Sequence, residues 1–146
     1  MAGEVKIRKA TKKDFNDIAK IMMKESAKEP YNENYSIKRA LKEITEFSKN
    51  ELYVAIFGKE LVGFIASYNI PEIKNKAYIN ELWLKPNHQR KGIGMALVEF
   101  VEDIYKKKGI VIIRLTAKKK AGAFKFYKKM KYKEDRSMAY MEKRLK

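Results

Sequence analysis

Cysteine is absent from the 146 residues, and histidine and tryptophan each occur once, at positions 88 and 83. The missing thiols exclude a disulfide framework, a thiolate zinc site and a covalent cysteine mechanism. A single histidine excludes a metal-binding histidine pair, so no metal centre is expected. No apolar run approaches the roughly 20 residues that span a bilayer. The opening Met-Ala-Gly-Glu-Val-Lys-Ile lacks the apolar stretch of a signal peptide, so a cytoplasmic protein without membrane association is expected. There is no repeat, low-complexity segment or linker long enough to separate domains, and the length fits one domain over residues 1–146.

What the chain has in excess is positive charge. It carries 34 Lys and Arg against 18 Asp and Glu, a formal net charge of +16. The excess is uneven: 14 bases face 11 acids in residues 1–75, and 20 face 7 in residues 76–146. Such a field attracts anions, whether nucleic acid, phosphorylated cofactors or acidic surfaces. A Lys-rich composition with solvated side chains accounts for the total but less well for the asymmetry. At 45% hydrophobic residues the chain can still build a packed core.

Periodicity gives the elements. Glu4 to Lys9 alternates as a strand, and Thr11 with Asp14 forms a variant capping box before a helix whose buried stripe is Phe15, Ile18, Ile21 and Met22. Ser36 can cap a second helix bearing Ile37, Ala40, Leu41, Ile44 and Phe47. Glu51–Phe57 and Leu61 to Ile70 flank the hairpin signal Gly58-Lys59. Ala77–Leu84 is a further strand, Ile93 to Tyr105 a helix with Gly109 at its C-terminal cap, Ile110–Leu115 a buried strand, and Ala121–Met130 a short helix. Ser137–Leu145 alternates and reads as a last strand, with a short extra strand near Tyr132 as an option. The order β-α-α-β-β-β-α-β-α-β describes a mixed α/β domain: a mostly antiparallel sheet flanked by helices.

The chemistry concentrates in Trp83-Leu-Lys-Pro-Asn-His-Gln-Arg-Lys-Gly-Ile-Gly94, between a strand and a helix. Gly92 and Gly94 allow a sharp turn and close approach of a ligand to the backbone. The helix N-terminus behind them presents unpaired N–H groups, and Gln89, Arg90 and Lys91 add donors and charge, an arrangement suited to a pyrophosphate. A P-loop would need Gly-Lys-Ser/Thr, but Met95 and Ala96 follow; a dinucleotide fingerprint would need Gly where Leu97 stands. His88 reads as an exposed loop residue.

Gln89–Gly94 resembles the Gln/Arg-x-x-Gly-x-Gly/Ala pyrophosphate signature of the GNAT superfamily of acetyl-CoA-dependent N-acetyltransferases. Ile79–Leu84 resembles that family's fourth strand, Gly92–Lys108 its signature helix, Ala123-Phe-Lys-Phe-Tyr127-Lys-Lys its Ala-x-x-Leu/Phe-Tyr-Glu-Lys helix, and the segment ending at Leu145 its last strand. The pattern departs at Lys120, where the family often has Asn, and at Lys131, where it usually has Gly.

The resemblance implies direct acetyl transfer from acetyl-CoA, the co-substrate, to an amine. Gln89, Arg90, Lys91, Gly92, Ile93, Gly94 and Met95 would hold the cofactor phosphates. Leu82, Trp83 and Leu84 would lie along its thioester arm, and Lys120, with Lys118 and Lys119, would reach toward the 3′-phosphate. Glu81 is the candidate base, with Asn80 and Tyr78 as alternatives that could position a water, and Tyr127 is the candidate acid for the leaving thiolate. Pro30-Tyr-Asn-Glu-Asn-Tyr35 would frame the acceptor, with Tyr31, Glu33 and Tyr35 facing an amine. A protein N-terminus, a lysine and a small amine all remain open; free polyamines suit so basic a protein only if the acceptor cleft is locally acidic. Two other readings stand beside this one: a basic nucleic-acid-binding protein, and a module that binds acyl-CoA without catalysis. A homodimer is compatible with all of them.

Overall fold

Strand and helix patterns follow the apolar periodicity closely. The computed structural model describes residues 4–146. Strand β1 (Val5–Lys9) leads through a 3-10 turn (Lys12–Asp14) into α1 (Phe15–Ser26), then α2 (Ile37–Phe47), β2 (Glu51–Phe57), β3 (Glu60–Asn69) and β4 (Lys76–Leu84). A second 3-10 turn (Pro86–His88) precedes α3 (Ile93–Lys107), followed by β5 (Ile112–Arg114) and α4 (Gly122–Lys129). The expected caps form. The Thr11 N–H donates to Asp14 Oδ2 at 2.8 Å, and Arg8 grips the same carboxylate with bonds of 2.7 and 2.9 Å. Ser36 Oγ accepts from the Arg39 N–H at 3.1 Å, satisfying one of the first-turn donors of α2.

The five strands lie in sequence order in one sheet, antiparallel from β1 to β4, with β5 parallel to β4. Side chains alternate across the sheet, so register separates its two faces. Leu52, Val54, Phe64 and Ala66 face α1 and α2, where they join Ile18, Met22, Ala40 and Ile44 in a core with essentially no solvent exposure. Tyr53, Ile65 and Ser67 face the other way, toward α3. There Ser67 Oγ and the Tyr105 hydroxyl lie 2.7 Å apart, and the rings of Tyr53 and Phe100 are 5.0 Å apart.

Strand β4 departs from regular pairing on both of its sides. Its ladder with β5 covers only three pairs, Lys76↔Ile112 to Tyr78↔Arg114, so the outer edge of β4 has no β5 partner from Ile79 onward. On its inner side Ser67 pairs with Ile79 but Ala66 pairs with Glu81, leaving Asn80 as the extra residue of a β-bulge. Uninterrupted alternation would put Glu81 and Trp83 on the α3 face with Ala77 and Ile79. The bulge shifts the phase by one residue and carries both to the α1/α2 face.

The mixed, mostly antiparallel α/β class is the one expected, with three corrections. The apolar run 110–115 is not a buried strand: β5 is three residues long, and Val111 and Ile112 are 69% and 43% exposed. An edge strand with so short a ladder covers little of its own surface. Ser137–Leu145 forms no strand, and Met138, Tyr140, Met141 and Leu145 are 73–87% exposed. Alternation alone does not make a strand, which requires a neighbouring ladder, and no strand occurs among the described residues from Ala117 onward. For the same reason Tyr132 lies in none.

The chain divides into two compact units, one ending at Thr116 and the other starting at Ala117. The first holds the sheet and α1–α3. In the second, Tyr127 is buried on α4 with its ring 5.1 Å from Phe126 and 5.3 Å from Tyr132, and Lys119 pairs with Glu134 at 2.8 Å. No helix among the described residues is long and apolar enough to cross a membrane.

Candidate active site

Glu81 is the most perturbed acid of the sheet. Carried by the bulge onto the α1/α2 face, it is largely buried, and its Oε1 accepts a 2.6 Å hydrogen bond from the Trp83 indole. Loss of solvent pushes its carboxyl up to about 7, the charges of Glu43 and Glu33 push in the same direction, and the indole bond opposes them in part. Aromatic rings enclose the group. Tyr31 meets Trp83 edge-on at 4.8 Å, and Tyr35 donates to Glu43 at 3.2 Å while Arg39 stacks 4.4 Å from its ring. Burial raises both tyrosine hydroxyls, and the Glu81 charge adds to the shift in each case. Tyr35 also lines an open cleft of about 490 Å³ with Lys20, Met23, Lys24, Ala27, Glu33 and Asn34. Within this +16 protein the α1–α2 loop and β4 therefore build a locally acidic, aromatic wall.

The second part of the site continues from the end of β4. Gly92 caps α3 with a φ of +81°, and its carbonyl accepts from Ala96 at 3.0 Å, so the helix begins where glycine alone is unstrained. Arg90 also takes a left-handed φ, +62°. Gln89, Arg90, Lys91 and Gly92 are exposed, Ile93 and Gly94 are buried under the first turn, and Met95 is 44% exposed. The first-turn N–H groups of α3 thus open toward a loop carrying two cations. The Gln89 side chain is engaged by the protein: its amide donates to the Leu84 carbonyl at 3.2 Å and to Glu25 Oε1 at 3.4 Å. Glu25 is itself buried at the end of α1, held by Lys28 at 2.9 Å. His88 is not an exposed loop residue. Its side chain is 12% exposed, its ring lies 5.3 Å from Phe57, and its Nε2 lies 3.8 Å from Glu60.

Several residues singled out in the sequence therefore meet. Glu81, Tyr31 and Tyr35 share one wall, with Glu33 acting on it through charge, and the Gln89–Met95 loop continues from the end of the same strand. Leu82 and Leu84 pair with Ile65 and Gly63 on the α3 face. Leu84 packs so closely over Gly63 that a Cβ there would collide with it. Trp83 belongs to the wall around Glu81. Tyr127 and the exposed Lys120 lie in the second unit. Sequence reading missed the Trp83–Glu81 bond, the Glu43 charge, the Glu25–Gln89 contact and the bulge. The available signal for the bulge was an Asn in mid-strand, where that residue type is depleted.

A buried carboxylate that titrates near neutrality can take a proton from a bound amine, and carboxylates with aromatic faces attract cations. The edge of β4 beyond its ladder with β5 and the cationic, glycine-started helix after it fit a long thioester bearing phosphates. The model of the acetyltransferase (GNAT) family matches residues 17–132. The spermidine N(1)-acetyltransferase of Thermoplasma acidophilum is 37% identical over 119 residues, covering 77% of this chain and 72% of that protein. The structure of a PaiA N-acetyltransferase from Thermoplasma acidophilum in complex with coenzyme A is 32% identical, with a TM-score of 0.68 over 86% of this chain and 87% of that one. A possible acetyltransferase from Clostridium difficile 630, 19% identical, shares the fold at a TM-score of 0.79 over 97% and 99% of the two chains. The chain belongs to the acetyltransferase (GNAT) family, and its activity is the acetyl-CoA-dependent transfer of an acetyl group to an amine.

Proposed function

We propose that the acceptor is a polyamine, that Glu81 is the general base, and that Tyr127 is the general acid. The observation that carries this reading is the buried Glu81 carboxyl on an aromatic wall, raised to about 7 with Glu43 and Glu33 acting on it. A polycation is repelled by the protein's net charge but attracted by this acidic patch. The likeness to a spermidine acetyltransferase points in the same direction. We also propose that residues 1–146 act as one acetyltransferase domain, since the family match runs across the boundary at Thr116. Because acetyl-CoA is a cytoplasmic metabolite, we place the reaction in the cytoplasm.

Acetyl-CoA supplies an activated acetyl thioester. The backbone N–H groups at the start of α3, with Arg90 and Lys91, hold its phosphates, and Gln89 braces the loop from behind through Leu84 and Glu25. Main-chain groups of Leu82 and Leu84 align the arm along β4, where an N–H can polarise the thioester carbonyl as charge develops on its oxygen. Trp83 holds Glu81 Oε1, which leaves Oε2 to take a proton from the bound ammonium, directly or through one water. The free amine then attacks the carbonyl carbon, the C–S bond breaks as the phenol that the family pattern assigns to Tyr127 gives a proton to the thiolate, and the second proton shed by the acylated nitrogen restores that phenol.

An acceptor panel read by thiol release tests the substrate. Spermidine and spermine should exceed a monoamine of similar length in kcat/KM by at least about 10-fold, the equivalent of one ionic contact of ~1.4 kcal/mol. Equal values for the monoamine, or a preference for peptide N-termini, would remove the polyamine reading. Tyr127→Phe tests the acid. It deletes one oxygen from a buried ring, so acetyl-CoA affinity should hold while turnover falls by about 10²–10⁴-fold. Full turnover in this variant, with chemistry shown to limit the rate, would make Tyr127 structural.

A further inference from the structure

Two acids among the described residues keep less than a tenth of their surface in solvent, Asp14 at 7% and Glu25 at 6%. Asp14 closes the capping box before α1 and pairs with Arg8. Glu25 has no such duty. It lies in the last turn of α1, at the negative end of the helix dipole, where a buried carboxylate is disfavoured twice over. Two donors offset that cost. Lys28 Nζ reaches both carboxylate oxygens, at 3.0 and 2.9 Å, and the Gln89 side chain reaches Oε1 at 3.4 Å from 64 residues further along the chain. Lys28 is half-exposed and can hold a carboxylate equally well in solvent. The contact that requires Glu25 to be inside is the one with Gln89.

The same contact decides what Gln89 can do. Its other neighbour is the Leu84 carbonyl, at 3.2 Å, so both groups facing the amide are acceptors and its nitrogen must turn toward them. These two bonds use both N–H donors of the side chain and leave none for a phosphate. We propose that Glu25 is a positioning residue for the acetyl donor: its carboxylate fixes the Gln89 side chain as a strut, and through it the path of the loop that turns into α3. Arg90 and Gly92 follow at left-handed φ values of +62° and +81°, and a loop held from behind keeps the first-turn N–H groups of α3 aligned before the ligand arrives. The same turn of α1 also seats the acceptor loop, but by main-chain bonds alone: the Glu33 N–H donates to the Ser26 carbonyl and the Tyr31 N–H to the Lys28 carbonyl, each at 2.9 Å. A change of the Glu25 side chain should therefore reach the cofactor and not the amine. This inference rests on the reading of Gln89–Met95 as the phosphate loop.

The test is a double-mutant cycle read in CoA affinity. Calorimetry gives dissociation constants for the wild type, Glu25→Ala, Gln89→Ala and the double variant, and denaturant unfolding gives their stabilities. Each single substitution should weaken CoA binding about 3–10-fold, the range for one net hydrogen bond. The double variant should be no weaker than Gln89→Ala, because both changes remove the same strut. Glu25→Gln keeps an oxygen for Gln89 and should recover most of the affinity. In turnover the loss should appear in the KM for acetyl-CoA rather than in kcat. Losses that add in the double variant overturn the assignment. So does a folded Glu25→Ala variant that binds CoA normally, whatever its stability, or one that raises only the KM for the amine. Gly92→Val separates the inference from the reading beneath it. If that variant binds CoA weakly while Glu25→Ala binds it normally, the loop stands and Glu25 is structural. If a folded Gly92→Val variant binds CoA normally, the phosphates lie elsewhere and the inference falls with the loop.

Discussion

Replacing Glu81 with Gln is expected to reduce turnover by about 10²–10⁴-fold while making the protein more stable at alkaline pH. The two effects have one origin. In the unfolded chain the carboxyl titrates at about 4.3, and in the folded protein at about 7, because it is buried and faces Glu43 and Glu33. Between those values the folded state holds a proton that the unfolded state has released. Stability contributed by this group is therefore full below about pH 4 and falls as pH rises through about 7. Gln keeps an oxygen for the Trp83 indole but carries no charge, so denaturant unfolding above pH 7 should show a gain on the order of 1–3 kcal/mol. The rate profile provides the complementary test. Wild-type kcat/KM should rise through pH about 7 as the base ionises, and the variant should lose that limb. A variant that is slow yet no more stable would remove the raised carboxyl as the source of both effects, and a folded variant that stays fully active would remove Glu81 as the base.

Gly92→Val should abolish useful acetyl-CoA binding. The residue sits at φ +81°, a region that a β-branched side chain avoids, at the point where α3 begins. Its methyl groups would also stand where the pyrophosphate approaches the first-turn N–H groups. Loss of two charge-assisted hydrogen bonds, at ~1.5–3 kcal/mol each, predicts an affinity at least about 100-fold weaker. Gly92→Ala should fall between the two. Circular dichroism verifies the fold, and calorimetry reads the affinity. An unchanged dissociation constant in a folded Gly92→Val variant would move the phosphate site elsewhere.

The sequence was most readable where local chemistry decides the structure. Thr11 with Asp14, Ser36, Gly58-Lys59 and Gly109 marked boundaries because caps and turns depend on neighbouring residues. The Gln89–Gly94 loop was readable for the same reason: its glycines and cations are contiguous. Glu81 could be placed on β4, but its surroundings could not be read, because Glu43, Tyr31 and Tyr35 reach it from α2 and the loop before it. The bulge at Asn80 had one faint mark, an Asn in mid-strand, because the extra residue is defined by pairing with β3 rather than by β4 alone. Ser137–Leu145 misled in the opposite way: it has the alternation of a strand without a ladder in its own unit.

The acidic wall has a consequence for the end of the reaction. Acetylation converts an ammonium into a neutral amide, so each turnover removes one positive charge from the acceptor. If the acceptor binds at this wall as proposed, Glu81, Glu33 and Glu43 attract the molecule that enters more strongly than the one that leaves, and the chemical step itself loosens the complex. A site built in this way would clear itself: accumulated acetylated amine should compete poorly with fresh substrate, and transfer should continue as product builds up.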